Sequence, residues 1–292
     1  MTSVWDPESK RKDTFALETG LQQAASIEEL LDKVDAVVIS GTNKTHVDYA
    51  EQAAAAGKSI LYEKPLVTTL DEASRMESAV KGKVKFMTSF PCRFSPAYVR
   101  LKERVKNGDI GKIQAICATN RGQCPFDWFV EKEHSGGGAM IDHTAHVADL
   151  LRDLLGEEPA TVQAQIGNNM YGKDFDDTAM VTLQYPSGIF ASLDSSWSRP
   201  QTYKTWGDVT MNVVGEKGVI ELDLFGQQID AWGTGHTLAG FSSNLDGLMV
   251  SEWLASIQEN RDPAVTLEDG LAASRVAIAA YESARKTEAV TV

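Results

Sequence analysis

The strongest constraint in the sequence is the alternation, through its first third, of short β-branched runs with helix-forming stretches. Val34-Asp35-Ala36-Val37-Val38-Ile39-Ser40 reads as a buried strand. Gly41-Thr42-Asn43 follows with turn and capping chemistry, an alanine-rich helix runs to about Ala56, and Gly57 is placed to end it. Ser59–Tyr62 is the next strand, closed by Glu63-Lys64-Pro65. Thr69 or Asp71 caps a helix through about Val80, and Lys83–Ser89 is a third strand. Upstream, Val4-Trp5-Asp6-Pro7 reads as the end of a strand, Ser9–Thr19 as a helix stopped by Gly20, and Ser26–Lys33 as another short helix. This order predicts a parallel, doubly wound α/β sheet. Such sheets bind ligands outside the carboxyl ends of their strands. Asp6, Ser40–Asn43, Glu63-Lys64-Pro65 and Ser89–Arg93 are therefore expected along one edge.

A dinucleotide-binding half opens with a strand, a G-x-G-x-x-G turn and a helix, with an acid for the ribose ~20 residues later. Asp6 stands where that acid falls, yet G-x-G-x-x-G occurs nowhere: Gly136-Gly137-Gly138 and Gly233-Thr234-Gly235 both fail the spacing. The phosphate-cradling turn is thus expected to be absent from this chain, either through a start truncated by about 30 residues or through loss of that part. A missing strand would leave backbone groups that another element or a partner chain must cover.

From Ile113 the pattern changes. Candidate strands are Ile113–Ala118, Thr161–Ile166, Ala179–Tyr185, Ile189–Trp197, Val209–Val214 and Val219–Asp223, joined in part by the turns Pro186-Ser187-Gly188 and Gly215-Glu216-Lys217-Gly218. A large open, mainly antiparallel sheet is expected, framed by helices at Ala97–Asn107, Leu245–Glu259 and Glu268–Ala284. The division falls near Phe90–Ser95, giving an incomplete Rossmann-like unit over 1–92 and a substrate-binding and oligomerisation unit over 93–292. Within the second, the glycine triplet leads into a helix on which Asp142 and His146 stand at i and i+4 and share a face. Asp149 and Asp153 continue that stripe, and the three glycines would let a substrate or cofactor approach the backbone closely.

The 41 acidic against 28 basic residues give a net charge of −13, which disfavours nucleic acid and anionic membranes as partners. No run approaches the ~18 apolar residues of a membrane helix, and Met1–Lys10 has no apolar signal core. Cys92, Cys117 and Cys124 form no CxxC pair, which reads as reduced thiols in the cytoplasm. His143 and His146 lack a third metal ligand, so no metal is expected. Trp128, Trp197 and Trp206 suit either packing or stacking on the apolar C–H faces of a sugar, and Arg199 beside Trp197 could add polar contacts.

Glu63-Lys64-Pro65, Arg93-Phe94-x-Pro96 and G-G-G-x-x-x-D-x-x-x-H, in that order, resemble the glucose-fructose oxidoreductase / inositol dehydrogenase (Gfo/Idh/MocA) family. The resemblance runs from about Val4 to the last helix. It implies a Rossmann domain followed by an open-sheet α/β domain, and oxidation or reduction of sugars and polyols with NAD, NADP being the alternative. It also implies a homodimer or homotetramer. By the same resemblance Lys64, Asp142 and His146 are the catalytic set. Asp6 matches the family's usual cofactor-ribose position, and Thr42, Asn43, His46 and Glu63 fall where its members line the cofactor; Arg93 is expected beside them, and Trp128, Trp197 and Arg199 are the candidate substrate contacts. Thr144 stands where many members carry glycine, and the missing glycine turn is the main departure. His146 would exchange the hydroxyl proton, Lys64 would stabilise the alkoxide, and Asp142 would orient them, with Glu63 near enough to hold Lys64. A relative that kept the substrate domain and lost the cofactor, acting as a sugar-binding or subunit-interaction protein, is the alternative.

Overall fold

The computed structural model describes residues 2–226 and 243–292, and between them the backbone of Gln228–Trp232 and His236–Gly240. Gly233-Thr234-Gly235 lies outside the described residues.

The chain opens with β1 (Ser3–Val4), α1 (Ser9–Thr19) and β2 (Gln22–Gln23), and β1 and β2 pair in parallel. Gly20 closes α1 at φ 71°, a left-handed conformation that glycine adopts without steric cost. The Ser26 hydroxyl accepts from the Glu29 N–H and starts α2 (Ile27–Lys33). There follow β3 (Ala36–Ile39), α3 (Asn43–Ala55), β4 (Ser59–Tyr62), α4 (Leu70–Val80, capped by Thr69) and β5 (Phe86–Thr88). β3, β4 and β5 form a parallel sheet in chain order. Their apolar side chains, with Val47 of α3 and Met76 of α4, make the first core.

The alternation predicts one sheet, and the structure divides it. β1–β2 stands apart from β3–β4–β5, and among the described residues β3 has a strand partner on one side only. A cavity of about 300 Å³ lies between the two, with Trp5, Leu31, Val37, Ile39 and Tyr49 in its wall. This is where the order of a doubly wound sheet places a further central strand. β2 escapes sequence reading because Gln22–Gln23 carries no apolar pattern, and only its pairing with β1 defines it.

The second part contains α5 (Pro96–Lys106), β6 (Ile113–Gly122), α6 (Lys132–Ser135), α7 (Ala139–Leu155), β7 (Thr161–Gly167), β8 (Thr178–Gln184), β9 (Phe190–Ser196), β10 (Gly207–Gly215), β11 (Gly218–Asp223), β12 (Gln228–Trp232), β13 (His236–Gly240), α8 (Leu245–Gln258), α9 (Leu267–Lys286) and β14 (Val290–Thr291). The large sheet has the order β11-β10-β6-β9-β8-β7-β14. Its pairs are antiparallel except β6 with β9. The exception follows from connectivity: β6 leaves through α6 and α7 instead of a hairpin, so it can enter the middle of the sheet parallel to β9. The β12–β13 hairpin and the short β14 add strands that the sequence pattern does not announce.

α7 and α9 cover one face of this sheet, and Leu150, Leu151, Val162, Val181, Leu193 and Met211 fill the space between. α9 starts with a reciprocal cap: Thr266 Oγ1 accepts from the Asp269 N–H and the Asp269 carboxylate accepts from the Thr266 N–H. The helix also reaches the first core, where Leu271 is fully buried. Thr88 Oγ1 of β5 donates to the Thr266 carbonyl at 3.0 Å. A single long helix thus ties the edge of the parallel sheet to α7. Among the described residues no helix is long and apolar enough to cross a membrane.

Candidate active site

α7 is aimed by its own N-terminus. Gly138 N–H and Met140 N–H donate to the two carboxylate oxygens of Asp176, at 3.0 and 2.9 Å, and the Tyr281 hydroxyl donates to the same carboxylate at 2.9 Å. A carboxylate here satisfies orphan backbone donors and complements the helix dipole. The glycine triplet serves this packing. A side chain on Gly137 would strike the Tyr281 hydroxyl, one on Gly138 the Asp176 carbonyl, and one on Gly136 the Thr68 side chain. The triplet admits the protein's own groups, so the expected approach of a ligand to this backbone gives way to helix docking.

Asp142 sits in the first turn of α7 with its side chain 8% exposed. Lys64, in the Glu63-Lys64-Pro65 turn after β4, reaches across from the other sheet. Its Nζ donates to Asp142 Oδ1 at 2.6 Å and to the Asp142 carbonyl at 3.1 Å. The Lys64–Pro65 peptide is cis. Asp142 Oδ2 accepts from the indole Nε1–H of Trp197 at 3.1 Å, and His143 Nε2 stands 3.3 Å from the same oxygen. One turn further along α7, the partly buried His146 ring presents an edge to Phe90, with centroids 6.0 Å apart, and its Nδ1 is buried without a partner.

The charges follow from these distances. Burial pushes the Asp142 carboxyl up, but Lys64 and then His143 outweigh it and hold the group well below the usual carboxylate range. Burial, reinforced by the Lys64 charge, holds His146 well below the usual histidine range, so its ring is neutral at pH 7. Burial also raises Glu63, against the pull of Lys64. The centre therefore holds an ammonium–carboxylate pair beside an uncharged imidazole.

The other expected site residues fall into two groups. Asp6 and Thr42 line the cavity between β1 and β3. They lie at the carboxyl ends of those strands, and Lys64 follows at the end of β4. Asp6 Oδ1 accepts from the Glu8 N–H at 2.7 Å. Trp128 is partly exposed and stacked on Phe129.

The second group is already engaged. His46 is 1% exposed, bonds the Gly41 carbonyl through Nε2 at 2.7 Å and packs edge-on to Tyr62. Asn43 donates to the Ser135 carbonyl at 2.8 Å and ties α3 to α6. Glu63 accepts from the Lys64 backbone N–H at 3.3 Å, while the Lys64 ammonium belongs to Asp142, so Asp142 is the carboxylate that holds it. The Arg93 guanidinium is taken up by Asp149 (2.6 and 2.7 Å), Asp269 (3.0 Å) and Asp153 (3.5 Å). Asp149 is fully buried, so the stripe continuing from Asp142 is an interior ion cluster and not a solvated face. Trp197 is 1% exposed, which removes it as a sugar-stacking surface and makes it a partner of Asp142. Arg199 pairs with Asp208 and lies over the Tyr203 ring at 4.1 Å. Trp206 is exposed and edge-on to His143.

The engagement of His46 has a measurable consequence. Burial lowers it from 6.5 to about 4, with the Gly41 carbonyl partly opposing. The folded state keeps the ring neutral where the unfolded chain protonates it, so this stabilisation is complete above pH 6.5 and fades as pH falls toward 4. His46→Gln is expected to destabilise the protein at pH 7. The gap to the wild type should narrow by about 2 kcal/mol at pH 5, from ~1.4 kcal/mol per unit. Urea unfolding of both proteins at both pH values measures it, and an unchanged gap would contradict the assignment.

Among the described residues no group of three or more histidine, cysteine, aspartate and glutamate side chains could hold a metal ion. Residues 1–90 match the profile described as "Oxidoreductase family, NAD-binding Rossmann fold", and residues 98–221 match the "GFO/IDH/MocA C-terminal domain". The chain is 27% identical to a 1,5-anhydro-D-fructose reductase of Ensifer adhaerens over 100% of this chain and 91% of that one. It is 31% identical to a myo-inositol 2-dehydrogenase of Thermotoga maritima over 88% and 79%. Among solved structures, GenD2 from gentamicin A biosynthesis in complex with NAD has a TM-score of 0.89 at 24% identity, covering 100% of this chain and 88% of that one. The chain belongs to the Gfo/Idh/MocA family of oxidoreductases.

Proposed function

We propose that this chain transfers hydride between a nicotinamide dinucleotide and a secondary alcohol carbon of a sugar or polyol. The observation that carries the reading is the convergence of Lys64, Asp142 and a neutral His146 at the carboxyl edge of the parallel sheet. Bound nicotinamide would accept or supply the hydride. Asp6 and Thr42 would hold its adenosine ribose, and the Asp6 carboxylate disfavours a 2′-phosphate, which favours NAD over NADP. No G-x-G-x-x-G turn is present in the sequence to cradle the pyrophosphate.

The chain's own residues would divide the work as follows. Lys64 is an ammonium held in place by Asp142. Turned toward a substrate hydroxyl, it would stabilise the negative charge that develops on oxygen as the hydroxyl proton leaves. His146 is uncharged, so its ring nitrogen can take that proton in oxidation and return it in reduction. Asp142 remains ionised and keeps the ammonium near the reacting oxygen. The names of the two curated relatives, a sugar reductase and an inositol dehydrogenase, support this substrate class.

The alternative reading is a sugar-binding relative without turnover. Titration with NADH, followed by nicotinamide fluorescence, and a screen of sugars and polyols separate the two. Micromolar NADH binding with turnover supports the enzyme. No NADH binding up to millimolar concentration supports the sugar-binding protein.

We also infer a homodimer or homotetramer. Register aligns Phe190, Ala115, Val214 and Val219 in one row across the outer face of the large sheet, and Met180 stands exposed on that same face. Light scattering tests this, and a monomer would contradict it. The three unpaired cysteines, two of them buried, support a reducing, cytoplasmic setting.

A further inference from the structure

Asp142 has two carboxylate oxygens, and the structure gives them different tasks. Oδ1 faces Lys64 at 2.6 Å, and Oδ2 faces the Trp197 indole at 3.1 Å. Trp197 follows directly on β9 and is held from several sides. Its backbone N–H donates to the Asp177 carbonyl at 2.8 Å. Its ring meets Phe175 edge-on, with centroids 5.7 Å apart, and packs with Cys124 and Ala139 in a small buried cluster. Tryptophan is amphipathic and is usually left with its N–H toward water or a polar partner. Here that partner is a buried carboxylate on a helix 55 residues away in sequence.

We propose that Trp197 is a positioning residue for the Lys64–Asp142 pair. An indole N–H is a donor only and does not titrate near neutral pH. It can therefore hold one oxygen of a carboxylate without competing for its charge. Fixing Oδ2 fixes the plane of the carboxylate, and with it the direction in which Oδ1 presents the Lys64 ammonium. The same bond keeps the carboxylate satisfied while Lys64 turns to a substrate oxygen. His143 Nε2 stands 3.3 Å from Oδ2 but makes no hydrogen bond to it, so the Trp197 N–H is the side-chain hydrogen bond on that oxygen.

The kinetic part of this proposal rests on the hydride-transfer reading, whereas a spectroscopic part stands without it. In the ¹H–¹⁵N spectrum the Trp197 indole resonance, assigned by its loss in Trp197→Phe, should move in Lys64→Met although the ammonium and the indole N–H, both donors, bond different oxygens of Asp142. It should move further in Asp142→Asn. A resonance unmoved by either change would overturn the proposal whether or not the chain turns over substrate.

For the kinetic part, Trp197 is replaced by β-(3-benzothienyl)alanine, which keeps the ring shape and loses the N–H. We expect kcat to fall about tenfold, with KM changing less than about twofold, from the loss of one hydrogen bond to a charged group. That loss should vanish in an Asp142→Ala background, and 5-fluorotryptophan at position 197 should restore the wild-type value. An unchanged kcat, or a loss that persists without Asp142, would show a packing role alone and contradict the proposal.

Discussion

Lys64→Met is expected to lower kcat by about two to three orders of magnitude, the effect of removing one preorganised donor to a developing oxyanion. Methionine keeps much of the apolar stem and removes the charge, so the substitution isolates electrostatics from packing. Two further changes should accompany the loss. Lys64 is the main group lowering Asp142 against burial, so that carboxyl should move upward in the variant. Lys64 also adds to the burial that lowers His146, so the histidine should move upward too. The acid limb of the pH–rate profile should therefore shift to higher pH in whatever activity remains. Steady-state kinetics across pH, with circular dichroism as a check on folding, test this. A kcat within about tenfold of the wild type would remove Lys64 from the chemistry.

Arg93→Met is expected to have the largest effect on stability, a loss of about 3–5 kcal/mol. Arg93 is 9% exposed and sits among Asp149, Asp153 and Asp269. Asp149 is fully buried, and burial raises it to about 7 even though Arg93 pulls it down. Without the guanidinium the folded state would keep a proton on Asp149 to higher pH than the wild type does. The unfolded chain releases that proton near 3.8, so stability in the variant keeps falling as pH rises past 7, where the wild-type contribution levels off. The gap between the two proteins should therefore widen from pH 7 to pH 9. Denaturant unfolding at both pH values measures it. If Arg93 were instead a cofactor contact, the substitution would weaken NADH binding and leave the unfolding midpoint in place.

The parts of this molecule legible in the sequence are those set by local pattern. Ser59–Tyr62 and Val34–Ser40 announce themselves as strands because β-branched and aromatic residues cluster between turn signals; the first is a strand over those same residues, and the second is a strand over Ala36–Ile39. Strand order alone then placed Lys64 and Asp6 on one edge. The i, i+4 spacing of Asp142 and His146 placed them on one face of α7. Contacts between distant segments carried no such signal. Nothing near Trp197 indicates that its indole would meet Asp142, and an arginine after a strand looks the same whether it faces a cofactor or three carboxylates. The glycine triplet misled for a related reason. Glycine marks close approach, but its sequence does not say whether a ligand or Tyr281 and Asp176 makes that approach. The parallel pairing of β6 with β9 depends on α7 carrying the chain away from the sheet, a tertiary consequence that strand propensity does not contain.

The proposed role of the centre built from Lys64, Asp142 and His146 is to handle the proton of a carbinol whose hydride goes to nicotinamide. Its most direct test supplies NAD together with polyols deuterated at their carbinol carbons and follows the label by NMR. Deuterium is expected at C4 of the nicotinamide with the wild-type chain, and its loss is expected in His146→Ala with folding unchanged. Deuterium that stays on the polyol at every concentration of NAD, or that transfers equally well without His146, would contradict it.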